Sequence, residues 1–267
     1  MLTGAPVRVQ PLAAGRPGAP SVVFAHGLED AWTSWLPLAA ELDPSWRLAA
    51  LDLPWRPGND YRWRSRPAGH WLRDGLNLLD PAPDLLVAHS LGANAALELL
   101  CTLDPLPVRA VALVCPLYRR PSEPVTWRMF DRSRSTFVQH LRDGVRTRMG
   151  VRASGTDPAV LAAMTELALD RIGPAGFLAV FEQFVASAEL PLARIELPTL
   201  VLAGGADPTL SRTAATALGG AIPGADVRFH EDYDHFCHVR HAGEVAVQLR
   251  DLAATAGAIP RKAGQLR

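Results

Sequence analysis

Two textures of apolar residues alternate along the chain. Six short runs are apolar or nearly so: SVVFA at 21–25, RLAAL at 47–51, DLLVA at 84–88, RAVALV at 109–114, TLVLA at 199–203 and DVRFH at 226–230. Several are continuous, as strands covered on both faces should be. Between them the spacing lengthens. Trp32, Trp35, Leu36, Leu38, Ala39 and Leu42 recur with a helical period, residues 91–103 are rich in Ala and Leu, and residues 209–218 and 244–254 fit the same period. Strand and helix in alternation predict an α/β fold, a mostly parallel central sheet flanked by helices. The alternation lapses over residues 117–192. Helical patterns at 138–149, 159–169 and 177–188 appear there with no strand between them. The expectation is a helical lid inserted at 117–192 into a core formed by 1–116 and 193–267, packed over the strand ends where ligands bind in such sheets.

Composition narrows the partners. The 267 residues hold 27 basic and 27 acidic side chains, for a formal net charge of +0, and 48% are hydrophobic. A nucleic-acid binder carries a basic excess, so no nucleic-acid partner is expected. The first residues have no apolar segment behind a basic start, and no apolar run reaches about 18 residues, so neither a signal peptide nor a membrane span is expected. Cys101, Cys115 and Cys237 are scattered, without metal spacing, and fit reduced thiols in a cytoplasmic protein. A monomer and a homodimer are both left open.

The candidate chemistry begins at Ala88-His89-Ser90-Leu91-Gly92, which links the third apolar run to a helical one. A nucleophile elbow reads Gly-x-Ser-x-Gly between a strand and a helix. Ala88 adds one methyl at the first small position. The plainer reading makes Ser90 an N-cap. Other segments bear on the choice. Phe24-Ala25-His26-Gly27-Leu28 ends the first apolar run, Gly204-Gly205-Ala206-Asp207-Pro208 follows the fifth, and Tyr233-Asp234-His235-Phe236 precedes the last helix. The order Ser, Asp, His is that of α/β-hydrolases.

On these segments the chain resembles the α/β-hydrolase superfamily, over residues 6–116 and 193–256. HGLEDAWTSW looks like the oxyanion loop of its lid-bearing lipases, esterases and lyases, and HFCHVRHAGEVAVQL looks like the catalytic-histidine segment. Two departures stand out: Ala88 for the usual Gly, and Asp52-Leu53-Pro54-Trp55-Arg56-Pro57-Gly58 for the commoner Asp-x-Pro-Gly-x-Gly-x-Ser. The resemblance implies Ser90 as nucleophile, His235 as its base and Asp207 as the group that orients the base. Backbone N–H groups of Leu28 and Leu91 would form the oxyanion hole. The expected reaction is hydrolysis of a carboxylic ester or thioester of a small-molecule acyl substrate, with no cofactor. Acyl transfer, acyl elimination and carbon–carbon cleavage by the same triad are the alternatives.

Six of the seven tryptophans lie between Trp32 and Trp71, and arginines interleave with them over 55–71. Such a segment is either a loop anchored by aromatic rings or a pocket wall for an anionic or flat substrate. His26, Gly27, Trp55, Trp63 and Trp127 are taken as substrate-binding residues, His26 also supporting the oxyanion turn. His238 stands three residues after His235, but no carboxylate at fitting spacing joins them, so no metal is expected.

Overall fold

The computed structural model describes residues 7–102 and 108–258. Residue 103 of the expected helix, and residues 1–6 and 259–267 of the expected core, lie outside the described residues. In chain order the elements are β1 (Arg8–Ala13), β2 (Ser21–Ala25), α1 (Leu36–Glu41), β3 (Arg47–Asp52), α2 (Ala68–Leu76), β4 (Leu85–His89), α3 (Leu91–Thr102) and β5 (Ala110–Val114). Then come α4 (Trp127–Met149), α5 (Pro158–Ala186), β6 (Thr199–Gly204), α6 (Arg212–Ala221), β7 (Asp226–His230), α7 (Cys237–Arg240) and α8 (Ala242–Thr255).

The seven strands form one sheet in the order β1-β3-β2-β4-β5-β6-β7. Every pair is parallel except β1 with β3, which is antiparallel. The strands β2, β4, β5 and β6 are buried throughout, because helices cover both faces and leave no polar side. One face packs into a core with Leu72, Leu76, Leu97 and Leu218. The other packs with Trp35, Leu38, Val245 and Leu249. Strand β1 reads RVQPLA and is half-buried at the sheet edge. Its Pro11 and polar residues hide it from an apolar-run reading, and both suit an edge strand.

The segment between β5 and β6 holds α4 and α5 and no strand. Helix α5 breaks at Gly173 (φ 61°, ψ −173°) before Pro174, since proline lacks an N–H and disfavours a helical residue before it. The two pieces carry the two later helical patterns. Within 55–71 the chain forms a short 3-10 turn at Arg62–Ser65 and then enters α2, so this stretch is only in part a loop. Among the described residues no helix is long and apolar enough to cross a membrane.

Candidate active site

Ser90 occupies the turn between β4 and α3 with φ 52°, a left-handed conformation unusual for a residue with a side chain. Two hydrogen bonds hold the turn: Ser90 N–H donates to the Val114 carbonyl at 3.0 Å, and Asn94 N–H to the Ser90 carbonyl at 3.1 Å. The turn is tight because β2 runs close by. A Cβ on Gly92 would stand 2.6 Å from the His26 carbonyl oxygen and 2.8 Å from that of Ala25. Ala88 lies inside β4, fully buried, so its methyl is accommodated in the core. The Ser90 hydroxyl does not cap α3. It donates instead to His235 Nε2 at 2.9 Å.

His235 lies between β7 and α7, and its Nδ1–H donates to Asp207 Oδ2 at 2.8 Å. Asp207 follows β6. Its other oxygen, Oδ1, accepts from Thr209 N–H at 2.9 Å and from His140 Nε2 at 3.2 Å. Burial opposes ionisation of Asp207, but His235 and the hydrogen bonds from His140 and His235 outweigh it and hold the carboxyl well below the usual carboxylate range. A hydroxyl, an imidazole and a carboxylate from three segments thus form one hydrogen-bonded line, and all three are buried. Such a line can withdraw a proton from an alcohol and return it to a leaving group.

His140 had no signal in the sequence beyond its helical surroundings. It comes from α4, and its ring lies on the His235 ring at 3.8 Å between centroids, tilted by 9°. Burial, then the nearby His235, push its pKa below the ordinary histidine value, while Asp207 opposes them. It is therefore neutral at pH 7 and serves Asp207 as a donor.

Gly27 and Leu28 line a cavity of about 300 Å³ together with Ser90 and His235. Leu91 N–H opens α3 and so lacks an intrahelical acceptor, and Leu28 N–H has no backbone acceptor among the described residues. The inserted helices supply an apolar wall, including Phe137, Leu141, Phe177, Val180 and Phe181. The residues Arg120, Glu123 and Arg132 give the cavity a polar side, with Arg132 paired to Glu123 at 3.0 Å.

Four residues expected against substrate do not line this cavity. His26 is fully buried. Its Nδ1–H donates to the Gly27 carbonyl at 2.8 Å, and its Nε2 accepts from Leu53 N–H at 3.0 Å. It ties the turn after β2 to the loop after β3 and presents no free atom. Trp55 donates from Nε1 to the His26 carbonyl at 2.9 Å, and Trp63 packs on Trp55 at 5.5 Å between ring centroids. Both are core residues: the Trp55 indole N–H satisfies a buried carbonyl, and the two rings fill the space beneath the loop. Trp127 opens α4 and is 81% exposed, away from the cavity face of that helix. No residue of 55–71 reaches the cavity, so the aromatic-anchor reading holds for that segment.

Glu29, in the loop after β2, had no signal in the sequence. It is buried, accepts from Arg171 of α5 at 2.7 Å and from the Tyr61 hydroxyl at 3.1 Å, and its backbone carbonyl accepts from Arg148 of α4 at 3.3 Å.

The alpha/beta hydrolase family model matches residues 22–248. A search of curated proteins gave no match. Among solved structures, the enol-lactonase from Burkholderia xenovorans is 20% identical, with 93% of this chain and 96% of that one covered and a TM-score of 0.61. An esterase from Rhodococcus sp. is 19% identical, with 94% and 95% covered and a TM-score of 0.66. A bromoperoxidase from Bacillus anthracis is 18% identical, with 92% and 94% covered and a TM-score of 0.62. At these identities the likeness is one of fold.

Proposed function

The chain belongs to the alpha/beta hydrolase family, and from that premise we propose that it is a serine hydrolase cleaving a carboxylic ester or thioester of a small acyl substrate. The observation that carries this reading is the line Ser90–His235–Asp207, with hydrogen bonds of 2.9 and 2.8 Å. His235 takes the hydroxyl proton as Ser90 Oγ attacks the acyl carbon. The oxygen of the tetrahedral intermediate moves toward the Leu28 and Leu91 amides, which are fixed before the reaction and need no reorganisation. His235 then protonates the leaving group, and a water activated by the same imidazole releases the acid. Asp207 holds the His235 tautomer and balances the imidazolium. The apolar wall of Phe137, Phe177 and Phe181 supports a substrate with a hydrophobic acyl or alcohol portion, and the inserted helices act as its lid.

A fluorophosphonate probe tests the reading. Covalent labelling at Ser90 is expected in the wild type and is lost in Ser90→Ala. A burst of nitrophenol from p-nitrophenyl acetate marks the acyl-enzyme, and turnover falls by on the order of 10⁶ in Ser90→Ala. Folded wild-type protein that neither labels nor bursts would overturn the proposal.

A further inference from the structure

Behind the elbow lies a second polar cluster that the hydrolytic reading does not use. Asp30, His89 and His238 come from the loop after β2, the end of β4 and α7. Each is at most 4% exposed, and one donor atom from each lies within 4.8 Å of the other two. None of the three is satisfied: Asp30 Oδ2, His89 Nδ1 and both ring nitrogens of His238 are buried without a hydrogen-bond partner. Buried polar atoms are nearly always paired, and here four unpaired ones gather in one place.

The surrounding bonds define what the cluster can accept. A carbonyl only accepts, so the 2.7 Å contact between His89 Nε2 and the His235 carbonyl fixes the proton on Nε2. His89 Nδ1 therefore presents a lone pair. Asp30 Oδ1 accepts from Ala31 N–H at 2.9 Å, which orients the carboxylate and leaves Oδ2 facing the cluster. Asp30 has no ion pair among the described residues. Two lone-pair donors and a carboxylate without a cation call for a positive charge. His89, held through its far N–H by a backbone carbonyl, and Asp30, held by an amide, have the supports that metal ligands ordinarily have, whereas the second nitrogen of His238 has none. Asp30 and His89 are also among the residues lining the cavity, while the donor atoms themselves are sealed from solvent.

We propose that Asp30 Oδ2, His89 Nδ1 and a ring nitrogen of His238 form a site for a divalent transition metal of the zinc type, with two imidazoles and one carboxylate as ligands. The metal would clamp the elbow residue before Ser90 to the helix after His235. The pairing escapes sequence inspection because the expected partner of His238 was its neighbour His235. The nearby ring is His89, at 4.3 Å between centroids, and the carboxylate comes from the loop after β2.

Cobalt(II) serves as the probe. Chelator-treated full-length protein is titrated with Co²⁺ and then Zn²⁺, reading visible d–d absorption, bound metal per chain by mass spectrometry and the thermal midpoint. One equivalent of Co²⁺ should give bands that Zn²⁺ bleaches, and the midpoint should rise with either metal. Asp30→Asn and His238→Gln, made separately so that one folding failure does not end the test, should each weaken binding by at least 10-fold, about the least that loss of even a supporting partner costs a metal site. The variant His241→Gln, at a half-buried histidine outside the cluster, and the Ser90→Ala enzyme should bind as the wild type does, so the result does not depend on the proposed hydrolase activity. A second group, Cys115, Asp207 and His235, also lies within ligand range. Binding lost in Cys115→Ala but kept in Asp30→Asn places the metal there and overturns the proposal. So does folded wild type that takes up no cobalt and shows no metal-dependent midpoint, which assigns the cluster to water.

Discussion

Asp207 serves two histidines at once. One oxygen orients His235, and the other is held by Thr209 N–H and by His140 from α4. Removing one donor leaves the carboxylate more basic, and a more basic carboxylate retains the imidazolium of His235 longer. His140→Phe keeps a flat ring against His235 but loses the N–H. It should lower kcat about 10- to 100-fold, the range for a hydrogen bond to a charged group, and move the acid limb of the kcat/KM profile to higher pH. His140→Gln, which still donates, should restore most of both. A purely structural His140 would change the rate without moving the limb. Asp207 also links pH to stability. Its folded pKa is depressed, so the folded state binds fewer protons than the unfolded chain between the two values, and stability rises with pH across that interval. The contribution is complete above the unfolded carboxyl value of about 3.9 and fades as pH falls through the folded one. Thermal midpoints of wild type and Asp207→Asn, measured from neutral pH downward, should converge on acidification. A gap that stays constant rules this out. Asp207→Asn should also lower turnover by up to about 10⁴.

At the level of elements, close approach is what seats the histidine loop. The end of β6 is crossed by residue 233, so that a Cβ on Gly204 would stand only 2.4 Å from the Tyr233 side chain and closer still to its carbonyl oxygen. Gly204→Ala should push the loop carrying His235 away from Ser90, costing about 1–3 kcal/mol as overpacking does. Fluorophosphonate labelling should slow while the sheet's circular dichroism persists, and an unchanged labelling rate would refute the argument. The six strands visible as apolar runs end within a residue of their observed bounds, and in β2, β4, β5 and β6 burial on both faces writes itself into local composition. Strand β1 was illegible because Pro11 and its polar residues break the apolar run, and α2 because Gly69 and Gly75 interrupt its helical pattern. Ser90, Asp207 and His235 were readable since each follows a strand or precedes a helix of recognisable kind. The tryptophans of 55–71 misled because composition reports that rings are buried without saying whether they face core or cavity.

For the whole molecule, the question is what holds the inserted helices on the sheet domain. Local pattern could not answer it, since Arg171 and Glu29 are 142 residues apart and His140 and Asp207 are 67 apart. Glu29 is the meeting point: its buried carboxylate accepts from Arg171 of α5 and Tyr61, and its carbonyl accepts from Arg148 of α4. Burial pushes the Glu29 pKa up, and Arg171 followed by Tyr61 draws it back. The pair is worth most for what its loss leaves behind, a buried carboxylate short of its cation. Arg171→Met should therefore cost about 1–3 kcal/mol and lower the thermal midpoint by a few degrees. Amide exchange should quicken in α4 and α5 while β4, β5 and β6 keep their protection. KM should rise, because Phe137 and Phe177 reach the cavity only when those helices are seated. The double variant Arg171→Met/Glu29→Gln removes the stranded charge as well and should recover part of the lost midpoint, a coupling that a double-mutant cycle measures directly. Additive losses in that cycle, with unchanged exchange in α4 and α5, would mean that the apolar contacts of Phe137, Leu141, Ile172 and Phe177 seat the insertion without help from the ion pair.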